Sequence, residues 1–133
     1  MTILTELKPG DSLKAVKLEP VSRMDLIKYA GASGDFNPIH TIDEEAKKAG
    51  LPGIIAHGMW TMGNLSKLFS EFIEIGFIED YTIRFKNMVF LQDIITLNAV
   101  LIENDGNRMH FSVNATNQKH QKVIEGTILF KQY

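Results

Sequence analysis

The chain contains no cysteine. That excludes both a disulfide framework and a cysteine nucleophile. It also lacks an excess of either charge. Fourteen Lys and Arg against 16 Asp and Glu leave a net charge of −2, which gives no basic footprint for nucleic acid. No apolar run approaches the ~20 residues that a membrane helix needs. The start, Met1-Thr2-Ile3-Leu4-Thr5-Glu6, has no signal-peptide core. There is no repeat, linker or low-complexity tract. What is present is 133 residues, 44% hydrophobic and 23% charged. That suits one domain over residues 1–133 with a buried core, and a cytoplasmic enzyme is the expectation.

The hydrophobic periodicity sorts the chain into elements. Pro9-Gly10-Asp11 marks a turn before a strand near Leu13 to Glu19. Ser22 is a good cap for a helix from Met24 to Ala32. A short helix is expected over Glu44 to Ala49, with Asp43 as candidate cap and Gly50 as its stop. A long helix should follow from about Gly58 to Ile73. Met59, Met62, Leu65, Phe69 and Phe72 fall on one face, while Trp60, Asn64, Lys67, Glu71 and Glu74 fall on another. After Gly76 the period changes to two, with Tyr81, Ile83 and Phe85 alternating with polar residues. Further strands are expected near Ile94 to Glu103, through Met109 to Ala115, and over Val123 to Lys131. Asn104-Asp105-Gly106-Asn107 is a strong turn signal between the first two of these. One long helix followed by an antiparallel meander is an α+β pattern. A sheet wrapped round that helix fits, although periodicity alone does not select it.

Two short motifs carry chemistry. In Ser33-Gly34-Asp35-Phe36-Asn37-Pro38-Ile39-His40, a carboxylate and an imidazole sit five residues apart. Gly34 suits the left-handed residue past a helix end, which puts Asp35 at a helix exit. Pro38 fixes its own backbone and biases Asn37 towards an extended conformation. A loop that curls back brings Asp35 and His40 to one site. The competing reading is an Asx-type turn, with Asp35 and Asn37 serving only local backbone groups. The second motif is Ala56-His57-Gly58-Met59, where the long helix begins. The first amides of a helix lack internal partners and carry the positive end of its dipole. Gly58 has no side chain to block a carbonyl's approach to them, and a thioester carbonyl placed there is polarised. Alternatively, Gly58 simply permits close packing and His57 is a structural hydrogen-bonding residue.

Blander readings cover the rest. His110 and His120 are expected at the surface, and Lys47-Lys48 at a solvated helix end or near a substrate phosphate. Asp35, His40, Asp43 and His57 match no helical zinc spacing, so no metal is expected.

The run from Tyr29 to His40 resembles the hydratase/dehydratase motif of MaoC-like proteins. So does Gly50-Leu51-Pro52 followed by Ile55-Ala56-His57-Gly58-Met59. The family comprises (R)-specific enoyl-CoA hydratases and (3R)-hydroxyacyl-ACP dehydratases. The resemblance implies a hot-dog fold, an antiparallel sheet wrapped around a long central helix. It implies that Asp35 and His40 are the catalytic dyad and that the Gly58 amide binds the thioester carbonyl. Asn37 would shape the loop, and His57 and Ser66 would support the site. The implied reaction is reversible syn hydration of a trans-2-enoyl thioester, carried on CoA or acyl carrier protein, with no cofactor. The implied assembly is a homodimer or a dimer of dimers, with a heteromer as the alternative. A hot-dog thioesterase and a non-catalytic acyl-binding subunit remain competing readings.

Overall fold

The computed structural model of the chain describes residues 4–133. The reading of Met1 to Ile3 therefore lies outside the described residues.

Local sequence rules account for the helical segments at the front of the chain. Helix α1 spans Arg23–Ser33 and opens with a full capping box. Ser22 Oγ accepts from Asp25 N at 3.1 Å, and Asp25 returns the bond to Ser22 N at 3.0 Å. Each bond satisfies an amide that the first turn leaves unpaired. The helix ends where Gly34 turns left-handed, at φ 79°, with its N–H on Ala30 O. Helix α2 spans Asp43–Lys48. Asp43 does not cap it, contrary to expectation. The cap position is Ile42, and the Asp43 carboxylate instead meets Arg23 at 2.8 Å. That ion pair links the starts of α1 and α2.

The long helix is shorter than its periodicity suggests. Helix α3 runs over Gly58–Leu65, and the chain continues as a 3-10 helix over Ser66–Phe72. The tighter winding has three residues per turn, so neighbours on one face become three apart. Leu65 and Leu68 are buried at that spacing, as are Phe69 and Phe72, whereas Met59 is 55% exposed. Met59 therefore leaves the expected apolar face, and Thr61 takes an inner position.

Five strands form one antiparallel sheet: β1 (Val16–Lys17), β2 (Gly76–Phe85), β3 (Thr96–Asn104), β4 (Arg108–Thr116) and β5 (Lys122–Gln132). Their order is β1-β3-β4-β5-β2. The expected strand from Leu13 to Glu19 shrinks to Val16–Lys17. Its flanks still follow β3 through Leu13 N on Ala99 O and Leu18 N on Ile95 O. Alternation in β4 works as expected, since Met109, Phe111, Val113 and Ala115 are buried and His110 is not.

The inner face of the sheet closes over the α3 segment. Phe69 packs edge-on to Phe111 at 5.0 Å and stacks with Phe130 at 5.9 Å. The Tyr81 hydroxyl of β2 donates to Met62 O, fastening an edge strand to the helix, and burial raises the phenol's pKa. A close approach holds β2 against β5. A Cβ on Gly126 would lie 1.9 Å from Thr82 O. The result is a helix laid across the concave face of a sheet, with its N-terminus left near the α1 exit.

Candidate active site

The loop after α1 uses its polar side chains twice. Asp35 Oδ1 accepts from Asn37 N at 3.2 Å, and Asn37 Oδ1 accepts from Ile39 N at 3.3 Å. Two successive Asx turns thus shape the loop. This local role does not exhaust Asp35. Its other oxygen, Oδ2, lies 3.9 Å from His40 Nε2.

His40 sits in the one-turn 3-10 helix Pro38–His40 and is only 7% exposed. Its Nδ1 is 2.7 Å from Ile55 O. A carbonyl only accepts, so Nδ1 carries a proton, and in the neutral ring the lone pair is on Nε2. That lone pair is on the side of the Asp35 carboxylate. The 3.9 Å separation exceeds a direct hydrogen bond and matches groups bridged by a third polar atom, such as a water. The Asp35 side chain is 51% exposed, so the pair spans the boundary between solvent and interior.

His57 stands behind the dyad. It occupies the cap position of α3 without capping it by its side chain. Its Nε2–H donates to Asp35 O at 3.1 Å, and its ring stacks on His40 at 3.8 Å and 23°. Tyr29 meets the same ring edge-on at 4.8 Å. At 2% exposure the ring is desolvated, and burial is the main cause that lowers its pKa. Burial thus favours the neutral ring, and its Nδ1 is buried without a partner among the described residues.

Gly58, the first residue of α3, follows directly. Its amide has no partner within the helix. It lines a cavity of about 280 Å³ together with Ile55, Thr61, Phe85 and Met88. The backbone from Ile55 to Gly58 joins the two halves of the site. His40 bonds to its first carbonyl, and Ala56 N is pinned to Val89 O at 2.8 Å.

The fold brings Asp35, His40 and His57 together, with one ligating atom from each within 4.8 Å of the others. It does not bring the Ser66 hydroxyl into this group; Ser66 Oγ donates to Gly63 O at 2.6 Å. Asp43 is engaged with Arg23. The trio does not fit a metal ion well. Imidazole lone pairs lie in the ring planes, and the two rings are nearly parallel and face to face, so they cannot converge on one ion. Tyr29, the first residue of the motif-like run, reaches the site through the His57 ring. Phe85, at the end of β2, becomes part of it only through the strand order.

A curled antiparallel sheet over a central helix, with an Asp–His pair beside the helix N-terminus, defines a hot-dog protein. The family model described as "MaoC like domain" matches residues 5–123, and the chain belongs to that family. The mitochondrial 3-hydroxyacyl-[acyl-carrier-protein] dehydratase of Arabidopsis thaliana is 27% identical over 124 residues, covering 90% of this chain and 74% of that protein. The fatty acid synthase subunit beta of Aspergillus oryzae is 33% identical over 108 residues, covering 77% of this chain. The chain spans only 5% of that subunit's length. The unliganded R-hydratase PhaJ1 from Pseudomonas aeruginosa shares the fold at a TM-score of 0.86 and 24% identity, covering 96% of this chain and 83% of that one. No described helix is long and apolar enough to cross a membrane.

Proposed function

We propose that this chain reversibly hydrates trans-2-enoyl thioesters to (3R)-hydroxyacyl thioesters in fatty-acid metabolism, as a hydro-lyase. The observation that carries the reading is the 3.9 Å gap between Asp35 Oδ2 and His40 Nε2. The His40 proton is held on the opposite nitrogen by Ile55 O, and the free amide end of α3 is one residue beyond His57.

The chemistry follows from those positions. The thioester oxygen accepts from the Gly58 amide, where the helix dipole stabilises the charge that develops as C3 is attacked. Asp35 and His40 hold one water between them. Its hydroxyl bonds to C3 while His40 Nε2 takes its proton. That proton is delivered to C2 from the same face, so water supplies both new groups and the dyad ends unchanged. In the dehydration direction, His40 accepts the C2 proton and Asp35 orients the departing water. His57 keeps the Asp35 loop and the His40 ring in place, and Asn37 shapes the loop. We assign Ser66 a supporting place on resemblance alone. No cofactor enters the scheme.

We read residues 1–133 as one MaoC-like hot-dog domain working in the cytoplasm on acyl-CoA or acyl carrier protein substrates. A homodimer is favoured because β2 ends the sheet. A long strand at a sheet edge presents unpaired backbone groups, and Phe77 and Phe85 of β2 are exposed. Heteromeric relatives exist, such as the ChsH1-ChsH2 complex of Mycobacterium tuberculosis. The test is incubation with crotonyl-CoA. Loss of enone absorbance with no free thiol, and a (3R)-hydroxybutyryl product, is expected. Thiol release would indicate a thioesterase, binding without turnover an acyl-binding subunit, and a mainly (3S) product would sink the stereochemical assignment.

A further inference from the structure

Phe85 occupies an unusual place for a half-exposed aromatic residue. It is the last residue of β2, and its backbone is paired with Ile124. The next residue continues the pairing, Lys86 N to Val123 O at 2.9 Å. The Phe85 Cα is therefore held by the sheet. Its ring crosses to the N-terminus of α3 and lies against Gly58. A Cβ built on Gly58 would come within 2.9 Å of Phe85 Cε1 and 3.2 Å of Cδ1 and Cζ. The ring thus fills the space that a side chain on Gly58 would take. It does so while 54% exposed, so core burial does not account for its position.

Both residues line the cavity of about 280 Å³ beside the helix N-terminus, with Thr61 on the same wall. A carbonyl oxygen accepting from the Gly58 amide sits ~2.9 Å from its nitrogen. C2 of the acyl group is two bonds from that oxygen. An acyl group whose carbonyl is held at Gly58 packs beside the Phe85 ring, which lies against that glycine in the same cavity. A methyl group on C2 is the size of the Cβ that the ring already excludes from Gly58.

We propose that Phe85 is a specificity-determining residue that restricts the site to thioesters unbranched at C2. The inference rests on the hydration reading and on the Gly58 amide holding the carbonyl. The experiment compares kcat/KM for crotonyl-CoA and 2-methylcrotonyl-CoA in the wild-type chain, Phe85→Ala and Phe85→Leu. Wild type is expected to prefer the unbranched substrate by about a hundredfold, the upper range for one methyl group in a tight pocket. Phe85→Ala should narrow that ratio by about tenfold, with Phe85→Leu between the two. A wild type that takes both substrates equally, or a folded Phe85→Ala that keeps the wild-type ratio, overturns the proposal. Binding of butyryl-CoA and 2-methylbutyryl-CoA, measured by calorimetry, reads the same wall without turnover. If crotonyl-CoA is not hydrated, the hydration reading fails. A binding preference that Phe85→Ala abolishes would still support the wall, and equal binding of the two would overturn it.

Discussion

At the scale of single residues, the site separates holding from reacting. In the proposed reaction Asp35 does both, with Oδ1 shaping the loop and Oδ2 facing His40. Asp35→Asn preserves the Asx geometry and removes the charge, whereas His40→Ala removes the proton carrier. Each is expected to lower kcat by about a hundredfold or more, the usual weight of a general acid or base. A near-wild-type kcat in either folded variant would remove the dyad assignment. His57 makes a different prediction, because burial holds its pKa below 6.5. The unfolded chain then binds this proton more readily than the folded one, so stability rises with pH through this group. The contribution is complete above pH 6.5 and is lost as pH falls towards the lower folded value. Denaturant unfolding at pH 7.5 and 5.5 should show wild type losing more stability on acidification than His57→Gln. Equal losses would show that His57 is not the group responsible.

At the scale of elements, capping and turn chemistry were the legible part. Ser22, Gly34 and the Asn104–Asn107 turn act where their types predict, because each satisfies backbone groups a few residues away. The misread elements are those decided by distant neighbours. Asp43 is drawn to Arg23 rather than to its own helix. The apolar stripe after Leu65 follows a three-residue turn because Leu68, Phe69 and Phe72 must all reach the concave sheet. The β2–β5 pairing depends on one small residue. Gly126→Ala would force its Cβ onto Thr82 O, and backbone there cannot swing aside. Destabilisation of about 1–3 kcal/mol is expected, the range for overpacking a tight site. An unchanged urea midpoint would mean that the β2–β5 pairing does not depend on the missing side chain at Gly126.

At the scale of the whole molecule, the longer of the two edge strands is left without a partner among the described residues. Strand β2 has β5 on one side only, and it carries both Phe77 and Phe85. Light scattering of the purified chain is expected to give the mass of a dimer or a dimer of dimers. A monodisperse monomer active on a short enoyl-CoA would show that no partner is needed. An inactive monomer would instead point to a missing subunit. What the sequence determined by itself is the set of local commitments: the Ser22 and Gly34 caps of α1, the alternation of β4 and the Asx turns around Asp35 and Asn37. These depend on contacts within a few positions, where residue type is decisive. Only the tertiary structure decided what the motif residues meet. The His40 tautomer is set by a carbonyl fifteen positions on, the His57 ring by its stack on His40, and the wall at Gly58 by a strand end 27 residues away. Such contacts come from sheet order and burial, which no local spacing encodes.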